Sequence, residues 1–183
     1  MSLRDPLQQA QETIREALSL GRPACFTCSF QSEDVALLHL ILQQEPGIPV
    51  LFLETGYHFP EVLAYRDRLA REWRLNLQDL TAKQTVAEQE TEFGLLYQTD
   101  PNECCNRRKV EPLRRGLRPY GVLFTGLRRE QSPTRANLQP RETHAFPEGF
   151  AVEKFSPLYD WSWKEVQAYL AVNDIPELPL YAQ

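Results

Sequence analysis

Short apolar runs alternate with amphipathic helical patterns along most of the chain, and this order is what most constrains the fold. Each run is short enough for a buried strand and leads through a polar segment to apolar residues at helical spacing. The predicted strands cover residues 24–28, 48–53, 75–80, 122–125 and 150–155. The predicted helices cover residues 7–20, 35–42, 60–74, 84–93 and 105–117, and a last helix begins at Ser162. Because parallel strands need crossover connections, this order predicts an α/β fold, a parallel sheet with helices on both faces.

Two stretches fall outside this alternation. Residues 98–102 have the composition of an exposed turn, and residues 131–148 combine prolines with few apolar side chains, which predicts an irregular loop. Pro112 predicts a kink or a restart within the helix at 105–117. Ligands of parallel sheets bind at the carboxyl ends of the strands, so we expect the functional residues to follow the predicted strands.

Length and charge exclude several classes of protein. A chain of 183 residues with 42% hydrophobic residues can build one full-sized core, and we expect a single domain over residues 1–183. The net charge of -5 argues against a nucleic-acid-binding protein. No apolar run reaches the ~20 residues that cross a bilayer, so we expect a cytoplasmic protein without membrane contact. The sequence does not decide whether the chain forms a homo-oligomer.

The adjacent pair Cys104 and Cys105 is followed at once by the basic residues Arg107, Arg108 and Lys109. Neighbouring Cα atoms lie about 3.8 Å apart, which is less than the usual disulfide range, so a bridge between the two thiols would be strained. Nearby cations favour thiolates, which bind iron or zinc or attack electrophiles. The pair therefore indicates metal ligation or redox chemistry, although two ligands do not complete a four-coordinate site.

Polar residues follow the first two predicted strands. Ser29 and Ser32 stand where a strand passes into a helix, so hydroxyl and free N–H groups there could hold a phosphate. The alternative is that Ser32 caps the helix, with acidic residues complementing the helix dipole. Glu54, Thr55 and Gly56 follow the second strand and either approach the same ligand or form a plain turn.

Three arginines, Arg128, Arg129 and Arg135, leave the end of the strand at 122–125 together. The guanidinium fork matches phosphate or sulfate oxygens, so this segment predicts an anion site, and a solvated loop is the alternative. Cys25 and Cys28 form a C-x-x-C, but they fall within a predicted buried strand, and we interpret them as core residues.

Taken in order, these segments resemble the sulfonucleotide reductases, which reduce adenylyl sulfate (APS) or its 3′-phosphorylated form (PAPS) to sulfite. Any one segment is a modest signal, but five in register are a strong one. The matching segments are residues 29–34, 54–61, 104–113, 126–135 and 157–162. The resemblance implies the adenine-nucleotide α-hydrolase-like fold, which is Rossmann-like, and a role in sulfate assimilation and cysteine biosynthesis.

The resemblance also implies roles for individual residues. In the iron-sulfur branch, Cys104 and Cys105 would supply two of the four ligands of a [4Fe-4S] cluster, and Lys109 would lie between cluster and substrate. Ser29 and Ser32 would hold the nucleotide, while the three arginines would contact its phosphate or sulfate. A cysteine thiolate of the family attacks the sulfate sulfur, which expels AMP, and thioredoxin or glutaredoxin then releases sulfite.

The sequence departs from the family pattern in two places. It ends at Tyr181, Ala182 and Gln183, where relatives continue into a second C-x-x-C and a tail with the nucleophilic cysteine, and Glu54 replaces a more usual aspartate. We therefore expect a C-terminally truncated APS reductase without the attacking thiol. The alternatives are a PAPS reductase, an enzyme that uses ATP, and a non-catalytic adenine-nucleotide-binding module.

Overall fold

The computed structural model of the chain describes residues 5–178. Six strands form one sheet in the order β3-β2-β1-β4-β6-β5. The strands are β1 (Ala24–Thr27), β2 (Pro49–Glu54), β3 (Asn76–Thr81), β4 (Val122–Phe124), β5 (Arg141–Ala145) and β6 (Ala151–Phe155). All neighbouring strands pair in parallel except β5, which runs antiparallel to β6. The predicted α/β fold is confirmed, and the prediction of a purely parallel sheet is wrong at this edge.

Eight α-helices surround the sheet. They are α1 (Pro6–Ser19), α2 (Ser32–Leu42), α3 (Pro60–Glu72), α4 (Val86–Phe93), α5 (Leu96–Thr99), α6 (Pro101–Cys105), α7 (Glu111–Leu117) and α8 (Trp163–Val172). No helix within residues 5–178 combines the length and the apolar character that crossing a bilayer requires. The residues Tyr181, Ala182 and Gln183, on which truncation was predicted, lie outside the described part of the chain.

The two faces of the sheet bury separate apolar clusters, because successive side chains of a strand point to opposite faces. Phe26 belongs to the larger cluster, which lies under α1, α2 and α8, whereas its neighbour Cys25 belongs to the smaller one. Leu117 of α7 packs into the smaller cluster. Helices therefore cover both faces, as predicted.

The segment 98–117 differs from the prediction. The expected turn at 98–102 is helical, since α6 starts at Pro101, where the Asp100 side chain accepts a hydrogen bond from Glu103 N at 3.1 Å. The break in the helix is a π-helical segment, Asn106–Val110, rather than a kink at Pro112, which lies in the first turn of α7. One helical unit with a π segment thus carries both cysteines and the basic residues.

The loop predicted at 131–148 is only partly irregular. It begins with two short 3₁₀ turns, Arg129–Gln131 and Pro133–Arg135, and then forms β5. The β5 side chains are largely exposed, so the apolar alternation that reveals a half-buried strand is absent there.

Strand β1 lies between β2 and β4, and the chain leaves it toward β2 before returning to β4. The strand order therefore reverses beside β1, and the loops after neighbouring strands diverge there. The residues that follow β1, β2 and β4 meet at this carboxyl edge.

Candidate active site

A cavity of about 640 Å³ opens at the carboxyl edge of β1, β2 and β4. Of the residues predicted for the site, it brings together Ser29, Thr55, Lys109 and Arg135. Apolar side chains, among them Phe52, line the rest of the cavity. Hydroxyl, cationic and apolar groups thus share one space that is large enough for a nucleotide.

Ser29 is bound to a buried carboxylate that the sequence did not single out. Asp34 Oδ2 accepts hydrogen bonds from Ser29 N and from Ser29 Oγ, each at 2.6 Å. Burial, opposed by these bonds and assisted by Glu33, raises the pKa of Asp34 from 3.8 to about 6. A Cβ on Gly126 would overlap Asp34 Oδ1, so the end of β4 packs directly on this carboxylate.

The turn between β1 and α2 is conformationally constrained. Phe30 is fully buried and has a φ of 60°, a value that L-residues other than glycine rarely adopt. Gln31 precedes α2 without a side-chain cap, so first-turn N–H groups stay free for a ligand. Ser32 lies in that first turn, is 4% exposed, and donates to Glu177 Oε2 at 3.0 Å. Its hydroxyl thus has a partner within the chain, and Ser32 does not line the cavity.

The segment after β2 is a turn whose three predicted residues face different ways. Glu54 Oε1 accepts from Gly56 N at 2.8 Å, while its other oxygen lies 3.5 Å from Arg66 Nη1. Gly56 has a φ of +79°, which favours glycine. Of the three, Thr55 alone lines the cavity, and Glu54 and Gly56 shape the turn that carries it.

The π segment presents two adjacent cations to different surroundings. Lys109 is exposed and lines the cavity. Arg108 is 5% exposed and donates to the backbone oxygens of Thr55 and Gln84 and to Gln89 Oε1. The buried arginine thus fixes the helix against the turn after β2, while its neighbour faces the cavity.

The cysteine pair lies one helical turn before Lys109. Cys104 is 8% exposed and Cys105 is exposed, and both thiols are free. Neither residue lines the cavity. Within residues 5–178, no three or more His, Cys, Asp or Glu side chains come together in a way that could hold a metal ion.

The predicted arginine segment is split between two roles. Arg128 is 5% exposed and donates to Trp161 O at 3.2 Å, and Arg129 pairs with Asp160 at 3.2 Å. These two arginines therefore fasten the segment to residues 157–162 and do not line the cavity. Arg135 does line it, and its Nη1 donates to Gln131 Oε1.

Gln131 links this segment to α2, because its Nε2 donates to Glu33 Oε1 at 2.6 Å. Its Oε1 also accepts from Arg128 N at 3.0 Å. The cavity wall formed by the arginine segment is therefore connected by hydrogen bonds to the first turn of α2.

The C-x-x-C cysteines are buried, as predicted. Cys25 is fully buried, and Cys28 is 4% exposed and lines the cavity. Burial, with a contribution from Asp34, raises the pKa of the Cys28 thiol well above its ordinary value. This thiol is thus protonated at neutral pH.

The three histidines hold separate positions. His58 lines the cavity, with Nε2 2.8 Å from Leu53 O, whereas His39 contacts Tyr169 Oη at 2.7 Å on the α2 side of the core. His144 lies on β5. They do not form a cluster.

Sequence reasoning missed Asp34, Arg108 and Gln131, which join the site's segments. Asp34 was interpreted as a dipole-complementing residue of α2, and nothing in a sequence distinguishes a buried carboxylate from an exposed one at a helix start. Gln131 had no motif of its own. Arg108 stood in a run of cations, of which the structure buries one.

Comparison with known proteins agrees with this geometry. The family model described as the phosphoadenosine phosphosulfate reductase domain matches residues 23–183. The adenosine 5′-phosphosulfate reductase of Rhodococcus erythropolis is 38% identical over 98% of this chain and 72% of its own length. That of Streptomyces coelicolor is 41% identical over 93% of this chain and 71% of its own length.

A solved structure shows the same fold. The phosphoadenylyl-sulfate (PAPS) reductase from Candida auris, in a phosphate complex, superimposes with a TM-score of 0.78 and covers 95% of this chain and 84% of its own. At 22% identity this likeness concerns the fold alone. The fold is adenine-nucleotide α-hydrolase-like, as expected.

Proposed function

The chain belongs to the phosphoadenosine phosphosulfate reductase domain family, and on that premise we propose that it binds adenylyl sulfate for reduction to sulfite and AMP. The two bacterial relatives carry the name of that activity, and both are oxidoreductases of this family. The observation that carries the proposal is the meeting of Lys109 and Arg135 with Ser29 and Thr55 in one cavity.

The chemistry of the cavity suits the parts of APS. The substrate has an apolar base and two joined anionic groups, a phosphate and a sulfate. Phe52 and its apolar neighbours offer a surface for the base, and the free N–H groups at the start of α2 suit the phosphate. Lys109 and Arg135 supply the positive charge that the phosphate and sulfate oxygens need.

We assign the other predicted residues to positioning. Ser32, Glu54 and Gly56 hold the loops after β1 and β2, and Arg128 and Arg129 hold the loop after β4. Each has partners within the chain, so substrate contact by these residues would require those hydrogen bonds to rearrange.

The attacking thiolate is not among the cysteines of this cavity. Cys28 is the one cysteine that lines it, and its thiol is buried and protonated. A protonated thiol is a poor nucleophile, because the thiolate is the reactive form. We therefore infer that residues 5–178 bind and orient the substrate while the thiolate comes from elsewhere, and that a dithiol protein such as thioredoxin or glutaredoxin then releases sulfite.

The cysteines of this chain do not by themselves fit a [4Fe-4S] cluster. Such a cluster takes four cysteine ligands, and Cys104 and Cys105 are the pair near Lys109. Cys25 and Cys28 are enclosed in the sheet and its carboxyl edge, and burial raises the pKa of each thiol. Cys104 and Cys105 would thus supply two thiolates of the set, and the proposal takes no step through the cluster.

The second candidate function is nucleotide binding without catalysis, and the protonated state of Cys28 favours it for the isolated chain. A preference for PAPS is the remaining alternative, since it requires contacts to a 3′-phosphate. A cytoplasmic location stays a prediction.

Two measurements on the chain test the proposal. Calorimetry with APS, PAPS and AMP measures binding, and an assay of sulfite release with thioredoxin measures reduction. We expect APS to bind more tightly than AMP, because the sulfate meets Lys109, and we expect no sulfite release by this chain alone. Failure of all three nucleotides to bind would overturn the proposal, and steady sulfite release would overturn the statement that these residues lack the thiolate.

A further inference from the structure

A second, smaller cavity lies between residues 82–84, α4 and the helix of the cysteine pair. Its volume is about 230 Å³, and it shares no lining residue with the nucleotide cavity. Its wall includes Lys83, Gln89, Asn106 and Arg107. The space suits a small ion rather than a nucleotide, and none of these residues has a role in the function proposed above.

Gln89 carries the argument, because it is 1% exposed and half of its amide lacks a partner. Its Oε1 accepts a hydrogen bond from Arg108 Nη1 at 3.0 Å. Its Nε2 is buried and finds no acceptor within residues 5–178. Turning the amide over would set two N–H donors against each other, so Arg108 fixes its orientation. A buried donor without a partner is unfavourable, and a ligand oxygen would satisfy it.

The charge beside Gln89 is positive. Arg107 pairs with Glu103 at 2.6 Å and Lys83 with Glu111 at 3.3 Å, so these charges on the wall balance. Arg108, behind the Gln89 amide, has neutral oxygen acceptors and no carboxylate within ion-pairing distance in the described chain. One buried positive charge is therefore left over, and it favours an anion nearby.

We propose that this cavity binds a small oxyanion, one of whose oxygens accepts a hydrogen bond from Gln89 Nε2. Sulfate and small carboxylates share the required chemistry, a compact anion with several acceptor oxygens. Lys83 and Asn106 at the opening would donate to the remaining oxygens. The site lies apart from the nucleotide cavity and does not depend on the function proposed for that cavity.

Nuclear magnetic resonance on the whole chain tests the site. Sodium sulfate and sodium acetate are titrated separately against sodium chloride of equal ionic strength, while the amide signals of Gln84 and Gln89 are followed. The signals of Ser29 and Gly126 report separately on the nucleotide cavity. We expect saturable shifts at Gln84 and Gln89, and the tighter of the two anions identifies the oxyanion class.

Two charge-matched variants localise the effect. Gln89→Glu keeps an acceptor for Arg108 but replaces the free donor with an oxygen and adds a negative charge, so we expect binding at least about tenfold weaker. Gln98→Glu adds the same charge at an exposed position of α5, outside the cavity, and should bind as the unchanged chain does.

The outcome is decided even if Gln89→Glu does not fold, because the titration of the unchanged chain stands alone. Absence of saturable shifts at Gln84 and Gln89 with both anions would refute the proposal, as would shifts confined to Ser29 and Gly126. Equal affinity in Gln89→Glu and the unchanged chain would also refute it.

Discussion

Asp34 Oδ2 accepts two hydrogen bonds from Ser29, one from the backbone N–H and one from the hydroxyl, each at 2.6 Å. This contact joins the end of β1 to the first turn of α2 and forms one wall of the nucleotide cavity. The carboxyl group is 9% exposed, and burial is the main cause of its raised pKa. The residue that shapes the loop therefore does so at some expense of stability.

Replacement of Asp34 by asparagine should remove a pH dependence of folding. The folded-state pKa is about 6 against 3.8, so between these values only the folded chain holds the proton, and stability falls as pH rises. Above pH 6 the loss levels off at about 3 kcal/mol. Denaturant unfolding at several pH values should show Asp34→Asn more stable than the unchanged chain at pH 7, with the difference vanishing near pH 4.

Asp160→Asn is the control, because Asp160 is exposed. Its difference from the unchanged chain should be small at every pH. A constant difference between Asp34→Asn and the unchanged chain across this range would contradict the assignment of the titration to Asp34.

Gly126→Ala should destabilise the fold by about 1–3 kcal/mol, because its methyl group would overlap Asp34 Oδ1. In an Asp34→Ala background the same change should cost at least about 1 kcal/mol less, since the overlapping atom is gone. A double-mutant cycle by chemical denaturation measures the coupling. Gly47→Ala is the matched control, because a Cβ there makes an ordinary contact at 3.7 Å. Additive effects of the Asp34 and Gly126 changes would argue against the contact.

Arg108→Leu should lower the free energy of unfolding by about 2–4 kcal/mol, because it leaves buried oxygens of Thr55, Gln84 and Gln89 without donors. Arg107→Leu is the adjacent control. Its ion pair with Glu103 is partly exposed, so we expect a loss below about 1 kcal/mol. Equal losses in thermal or denaturant unfolding would show that Arg108 is not the structural arginine.

Lys109→Ala should weaken the binding of APS by about tenfold or more while AMP binds as before, because the lysine is expected to meet the sulfate. Calorimetry with both nucleotides gives the two affinities. Lys164→Ala on α8 removes an exposed charge away from the cavity and should change neither. Parallel weakening of AMP and APS would place the contact of Lys109 on the phosphate instead.

The sequence was sufficient for the architecture because each buried strand and its following helix has its own apolar pattern. The runs at 24–28 and 48–53 became β1 and β2 within a residue or so at each end, and Ser162 begins α8 with the expected capping box. Strand β5 escaped because it lies at the sheet edge with exposed side chains. Its pairing depends on backbone hydrogen bonds to β6, which leave no apolar pattern.

The site was less predictable than the fold, because several residue types at its edge serve either purpose. Lys109 and Arg108 are neighbours in one basic run, yet one lines the cavity and the other is buried. Arg128 and Arg135 share one predicted segment and divide in the same way. Burial depends on packing between elements distant in the sequence, and a single sequence does not give those contacts.

The π segment at Asn106–Val110 sets the rotational phase between the cysteine pair and the residues after it. A π turn holds one residue more than an α turn, so removal of a residue from this segment would restore a uniform α-helix. Each residue of an α-helix turns the chain by about 100°. Such a deletion would swing the part of the helix that carries Cys104 and Cys105 around its axis relative to α7. The bulge thereby acts as an angular spacer, and the direction in which the thiols face depends on residue count as much as on residue type.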